Sequence, residues 1–286
     1  MSLPRPAAET AFRPVARVVR GMPASDGDGV RMTRMIGTPA LRVADPFLML
    51  DHFDSAEAAD YMGGFPDHPH RGFETVTYML EGRMRHGDNK GHSGVIGPGG
   101  VQWMRAGRGL VHSEMPEQQE GRMRGFQLWV NLPAALKMSE PAYQEFPAEA
   151  IPAETREGGA VLKVIAGETS RGTRGPVVAA TVNAVYADVA LPAGAALEEP
   201  LPPGHLALLA VYEGTVRVGG AEVTAISTAL LGEGEAVRVE AASADARFLL
   251  IAGRPLREPI VWAGPFVMNT EAEVHQAIAD FRAGRF

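Results

Sequence analysis

The sequence predicts an all-β protein made of two similar antiparallel β-barrels with a helix at the carboxyl end. Three observations lead there. Short β-branched and apolar runs are punctuated along the whole chain by turn formers, with Gly 33 and Pro 22 among 286 residues and no tract that gathers them. Tyr78-Met79-Leu80-Glu81-Gly82 returns in the second half as Ala210-Val211-Tyr212-Glu213-Gly214, an offset of 132. Two tripeptides of metal-ligand type, His68-Pro69-His70 and His112-Ser113-Glu114, occur in the first half without second-half counterparts.

In chain order, residues 1–14 are Pro/Ala-rich and predict a loosely held arm. A first barrel is expected over 15–140, opening with strands and loops across Ala16–Met22 and Arg42–Phe53. Phe73–Leu80 is dense in aromatic and β-branched residues, as strands are, and Glu81-Gly82 turns the chain. A long loop is expected around Gly87-Asp88, Gly91, Gly94 and Gly97-Pro98-Gly99-Gly100. Gln102–Met104, Leu110–Met115 and Phe126–Val130 predict further strands, and Ala134–Met138 a short helix. Pro141, Pro147 and Pro152, among many charges, mark a linker over 141–159. A second barrel is expected over 160–286. Its strands are Val161–Ile165, Val182–Val189, Leu206–Tyr212, Val216–Val218, Ala236–Val239 and Phe248–Ile251. Thr270-Glu271-Ala272-Glu273 is a capping box. Val274, Ala277, Ile278 and Phe281 follow at helical spacing and give one apolar stripe to pack on a barrel exterior.

Composition narrows the function. The net charge of −7 disfavours nonspecific nucleic-acid binding, which needs Lys/Arg against phosphate. With Cys 0 there is no disulfide, thiolate site or cysteine nucleophile, so any metal is held by His and carboxylates. The amino terminus lacks the apolar core of a signal peptide, and no apolar run reaches membrane-spanning length. A reducing, cytoplasmic location and a monomer are expected.

The tripeptides carry the chemistry. Alternate residues of a strand face one way, so each triplet aims two ligand groups in one direction. If the strands face each other, His68, His70, His112 and Glu114 converge on one divalent first-row metal with positions left open. Pro69 removes a ladder donor, which puts its segment at a sheet edge or strand entry. Glu74, four residues after His70, points inward if the strand is unbroken, as a ligand or as a partner orienting a histidine. A bulge at Arg71-Gly72 breaks that parity and leaves Glu74 to a cross-strand arginine. Arg105 is a candidate to hold a carboxylate near the site. His52, His86 and His92 lack partners at period two and read as structural or surface residues. Applying the offset of 132 puts Pro200 and Pro202 opposite the first pair and Ala244 and Ala246 opposite the second, so the second barrel is expected to hold no metal.

The runs His68-Pro69-His70-Arg71-Gly72-Phe73-Glu74-Thr75-Val76 and Gln102–Met115 closely resemble the pirin family of the cupin superfamily. Gln127-Leu128-Trp129-Val130-Asn131-Leu132-Pro133 and Gly264-Pro265-Phe266-Val267-Met268-Asn269-Thr270 match it as well. The resemblance implies a bicupin of two jelly-roll barrels, with His68, His70, His112 and Glu114 as ligands of an iron centre and Glu74 behind them. Fe(II) is the expected metal, and Mn, Co, Ni, Cu or Zn suit the same donors. The resemblance further implies a dioxygenase similar to quercetin 2,3-dioxygenases, which open the flavonol central ring with O₂ and release carbon monoxide. Glu114 would serve as base, and Phe53, Phe73 and Met115 would line an apolar pocket for the aromatic substrate. It also implies an alternative, an iron-dependent regulator that binds a transcription factor or metabolic enzyme.

Overall fold

Phe73–Glu81 and Leu206–Glu213 are almost wholly buried, on both faces, where a solvent-facing strand would alternate. Each lies inside a seven-stranded sheet with a barrel interior on one side and the other barrel on the other. The structure is a computed structural model and describes residues 10–242 and 244–286.

The large sheet of the first half runs Ala142–Phe146, Val101–Arg105, Phe73–Glu81, Met123–Asn131, Phe47–Ser55, Val30–Ile36, Met22–Asp26. Its small sheet runs Phe65–His70, Leu110–Pro116, Met84–Asp88, Ser93–Ile96. The second half repeats this order. Its large sheet is Val15–Arg20, Ser227–Leu231, Leu206–Glu213, Ala246–Gly253, Val185–Leu191, Val161–Ala166, Ala153–Thr155. Its small sheet is Ala196–Pro200, Ala236–Ala241, Thr215–Val218, Ala221–Thr224. All named strand pairs are antiparallel.

The halves exchange their leading strands. Val15–Arg20 pairs with Ser227–Leu231 of the second barrel, and Ala142–Phe146 pairs with Val101–Arg105 of the first. The 141–159 segment, expected as a linker, therefore carries an edge strand for each barrel, Ala142–Phe146 and Ala153–Thr155. The glycine-rich stretch expected as a loop holds the strands Met84–Asp88 and Ser93–Ile96, which complete the small sheet. The expected helix at Ala134–Met138 is one 3₁₀ turn, Ala134–Leu136. Of the expected arm, residues 1–9 lie outside the described residues. Arg13 is pinned to the His205 and Gly234 carbonyls at 2.7 and 3.0 Å.

The two large sheets share one apolar seam. Val76, Tyr78, Trp103, Phe126 and Leu128 meet Tyr186, Leu208, Tyr212, Leu249 and Ile251 there. Within it, the buried Asp188 accepts hydrogen bonds from Tyr78 Oη and Arg247 Nη2, both at 2.9 Å, and from Tyr212 Oη. A carboxylate sealed from water needs such partners. Because Tyr78 comes from the other half, the knot also ties the barrels together.

The last segment crosses back to the first barrel. Val261–Ala263 and Phe266–Met268 form a separate hairpin that leads into the helix Glu271–Arg282, capped as expected by Thr270 and Glu273. Val274 and Ala277 of the apolar stripe are buried. Arg71, next to His70, donates its amide to Pro265 O at 3.3 Å and accepts from Val267 N at 3.1 Å. Its guanidinium meets Asp280 Oδ2 at 2.7 Å. Gly72 has φ +90°, and a Cβ there would lie 2.0 Å from Val267 O, so only glycine fits.

Lys137 fixes this junction. Its buried Nζ donates to Gly72 O at 2.7 Å, Asn131 Oδ1 at 2.7 Å and Val267 O at 2.8 Å. Burial lowers its pKa from the ordinary 10.5 to about 8, against the pull of Glu258 and Glu273. Lys137→Met strands three buried acceptors and is expected to cost about 2–4 kcal/mol at pH 7. Above pH 8 the unfolded lysine binds more proton than the folded one, so the wild type gains stability as pH rises. The gap between wild type and Lys137→Met in urea unfolding should therefore widen from pH 8 towards 10.5; a gap independent of pH would refute this.

Candidate metal centre

The small-sheet register brings the two tripeptides together. Phe65–His70 is the edge strand and pairs with Leu110–Pro116, so that His112 lies opposite His68 and Leu110 opposite His70. At the edge, Pro69 omits its donor without leaving a neighbouring strand unpaired. His70, His112 and Glu114 are buried and His68 is half-buried. The donor atoms of His68, His70 and His112 all lie within 4.8 Å of one another.

These imidazoles fit a metal. His68 Nδ1 lies 2.8 Å from Pro66 O, so it carries the proton and leaves a lone pair on Nε2. That Nε2 is 3.0 Å from His70 Nε2. Two nitrogens bound at right angles to one metal, at ~2.1 Å each, would stand ~3.0 Å apart. Both ring nitrogens of His112 are buried without a hydrogen-bond partner. Buried polar atoms are rarely left so, and a coordinated cation would satisfy one of them. His70 and His112 titrate well below the ordinary histidine value, first through burial and then through the neighbouring imidazoles. They are neutral at pH 7, as ligands must be.

Glu114 faces the same cavity, and both its oxygens are engaged. Thr77 Oγ1 lies 2.6 Å from Oε1, and Gln127 Nε2 donates to Oε2 at 2.8 Å. Thr77 Oγ1 also lies 2.7 Å from Gln127 Oε1, which closes a ring of three side chains. One hydroxyl proton cannot serve two acceptors. Thr77 therefore donates either to Glu114 or to Gln127.

Above the histidines lies a cavity of about 430 Å³. Met49, Phe53, Phe65, Trp129 and Trp262 give it apolar walls. Arg34 and Asp51 give it a polar side, joined through Arg34 Nε to Oδ1 at 2.9 Å and Nη2 to Oδ2 at 2.8 Å. Burial raises the pKa of Asp51, against the opposing pull of Arg34.

The Pirin family profile matches residues 29–130, and that of the Pirin C-terminal cupin domain matches 186–286. The chain is 64% identical to a pirin-like protein of Caulobacter vibrioides over 96% of this chain and 99% of that one. The chain belongs to the pirin family. It is also 52% identical to a Pseudomonas aeruginosa protein that bears the provisional name quercetin 2,3-dioxygenase, over 96% of this chain and 98% of that one. The crystal structure of quercetin 2,3-dioxygenase from Acinetobacter baumannii superposes with a TM-score of 0.88 at 35% identity, covering 96% of this chain and 99% of that one.

The bicupin fold is thus as expected, while several site residues stand elsewhere. Glu74 is on the seam face of its strand. It accepts from Trp103 Nε1 and Arg105 Nε, both at 2.9 Å, and touches no histidine. Arg71 and Gly72 fall between two strands and shift the phase, so that Phe73, Thr75 and Thr77 face inward and Glu74, Val76 and Tyr78 face the seam. Arg105 accordingly holds a carboxylate, away from the cavity. Phe53 lines the cavity, but Phe73 lies behind it, with its ring 5.0 Å from that of His70 and 4.3 Å from that of Trp129. Met115 faces the other side of the strand from Glu114, towards Gly64. Thr77, Gln127, Arg34, Asp51, Trp129 and Trp262 were not singled out from sequence. Gln127, Trp129 and Pro265 stood inside pirin motifs, their one available signal.

The second small sheet carries other side chains at the places of the histidines. Leu197 pairs with Val239 as His68 pairs with His112, and Glu199 pairs with Val237 as His70 pairs with Leu110. The positions equivalent to the three histidines are therefore Leu197, Glu199 and Val239. The offset of 132 misplaced the first pair because the turn after Ala196–Pro200 is three residues longer than that after Phe65–His70, and the second because Gly214 to Val239 is five residues shorter than Gly82 to His112. Glu199 is bound by Arg156 Nη2 and Ser170 N, each at 2.6 Å. The interior around it is filled by Leu197, Leu209, Val216, Val239 and Phe248.

Titration with Co(II), followed by visible absorption, should reveal one site per chain. His70→Ala and His112→Ala should each abolish it, and Glu74→Gln should leave stoichiometry unchanged. Loss of cobalt binding in Glu74→Gln, with the fold intact by circular dichroism, would contradict the placement of that residue.

Proposed function

We propose that the cavity is the active site of a metal-dependent dioxygenase that opens a flavonol-like ring with O₂. In this reading His68, His70, His112 and Glu114 hold one divalent metal, Fe(II) before Mn, Co, Ni, Cu or Zn. The observation that carries it is the cluster of three imidazoles, two of them buried and neutral, at the floor of an aromatic-walled cavity of about 430 Å³. The names borne by the Pseudomonas relative and the Acinetobacter structure support the same chemistry.

When bound, the metal supplies a Lewis acid for the substrate oxygen and an open position for small molecules. The chain's residues do the rest. Phe53, Phe65 and Trp129 exclude water and hold a flat ring. Glu114 would serve as general base for the substrate hydroxyl. Phe73 and Trp129 pack against His70 and limit its rotation.

Protein loaded with Fe(II) under anaerobic conditions should, on admission of air, consume quercetin and O₂ in equal amounts and release carbon monoxide. His70→Ala should lower turnover at least 100-fold. Failure of the wild type to turn over quercetin with any of the six metals would remove the dioxygenase reading. Transcription-factor or metabolic-enzyme capture surviving in His70→Ala would then favour a regulator.

A further inference from the structure

We infer that Trp262, on the C-terminal hairpin, contacts the substrate and sets the cavity's preference for multi-ring over single-ring aromatic ligands; this rests on the cavity being the binding site proposed above.

The hairpin that bears Trp262 pairs with neither sheet of its own half. It is tied instead to the first barrel, through Arg71 on Pro265 and Val267 and through Lys137 on Val267. Trp262, Gly264 and Pro265 thereby become one wall of a cavity whose histidines lie in the other half of the chain.

The Trp262 ring is suited to a ligand. Its Nε1 donates to Gly264 O at 2.7 Å, so the indole's one polar atom is satisfied inside the hairpin. What remains is flat apolar surface that makes no polar demand on a guest. The side chain is half-buried, packed against Trp129 and the Leu48, Phe73 and Val267 cluster yet open to the cavity. Such an aromatic surface favours another ring against it.

Position gives the selectivity. The His70 ring centroid is 5.2 Å from that of Trp129, which in turn is 5.7 Å from that of Trp262. A one-ring ligand anchored at the histidines extends about as far as Trp129. A ligand with a second or third ring extends further along the same wall, to Trp262. The hairpin therefore rewards length, and Trp262 is the residue through which it does so.

The test uses full-length protein loaded with Zn(II) and kept anaerobic, so that no O₂ is present for turnover, and calorimetric titration with quercetin (three rings) and catechol (one ring). Trp262→Ala is expected to weaken quercetin binding at least tenfold and catechol binding less than twofold. Trp262→Phe, which keeps a flat ring, should restore quercetin binding to within threefold of wild type. Quercetin affinity unchanged in Trp262→Ala overturns the inference. So does an equal loss for both ligands, which would mark a displaced hairpin, and so does a wild type that binds neither. Trp262-dependent quercetin binding by a protein that turns over no flavonol would sink the dioxygenase reading and leave this inference standing.

Discussion

The three-histidine group depends on one register, the antiparallel pairing of Phe65–His70 with Leu110–Pro116. Side chains alternate along a strand, so a slip of one residue would turn His112 to the outside and bring Val111 or Ser113 in. Two features hold the register. Met84–Asp88 pairs with the other edge of Leu110–Pro116, matching Glu114 to His86 and His112 to Asp88. Beyond His70, the chain is clamped by the hairpin on Arg71 and by Lys137 on Gly72. The irregularity between His112 and Glu114 against the edge strand then lets Glu114 keep its own partners, Thr77 and Gln127.

Burial accounts for the chemistry as much as the choice of residues does. Imidazoles in water would be partly protonated near neutral pH and would repel a cation. Burial of His70 and His112, reinforced by neighbouring imidazoles, holds their protons off and leaves lone pairs without partners. This arrangement costs folding free energy, because unpaired polar atoms have left water. The surrounding aromatic packing and the paired sheets carry that cost. The second barrel avoids it, with leucine and valine at two of the three equivalent positions and a glutamate matched by Arg156 at the third.

Much of this was legible in the sequence. The ligand triplets announced themselves by spacing, the helix by its capping box, and the two halves by a five-residue echo. What was hidden had physical reasons. Met84–Asp88 and Ser93–Ile96 looked like loop because glycine and aspartate are poor strand formers, yet tertiary pairing fixed them as strands. Glu74 was ambiguous because a turn of two residues shifts strand phase, and spacing alone cannot count across a turn. Arg34 and Asp51 meet only because Val30–Ile36 lies beside Phe47–Ser55, with Arg34 opposite Asp51. No local pattern encodes that pairing.

The exchange of leading strands and the returning hairpin make the two halves inseparable in a way that a bead-on-string reading misses. Each large sheet takes an edge strand from outside its own repeat: Val15–Arg20 for the second barrel, Ala142–Phe146 for the first. The seam buries Tyr78 with its hydroxyl on Asp188, so separating the barrels would leave a buried carboxylate short of one donor and expose an apolar sheet face. The second barrel has an apolar side-chain core, and its chain continues into the hairpin that supplies Trp262 and Pro265 to the first. One repeat therefore holds the three histidines, and the other, which has Leu197, Glu199 and Val239 in their places, helps form the room around them.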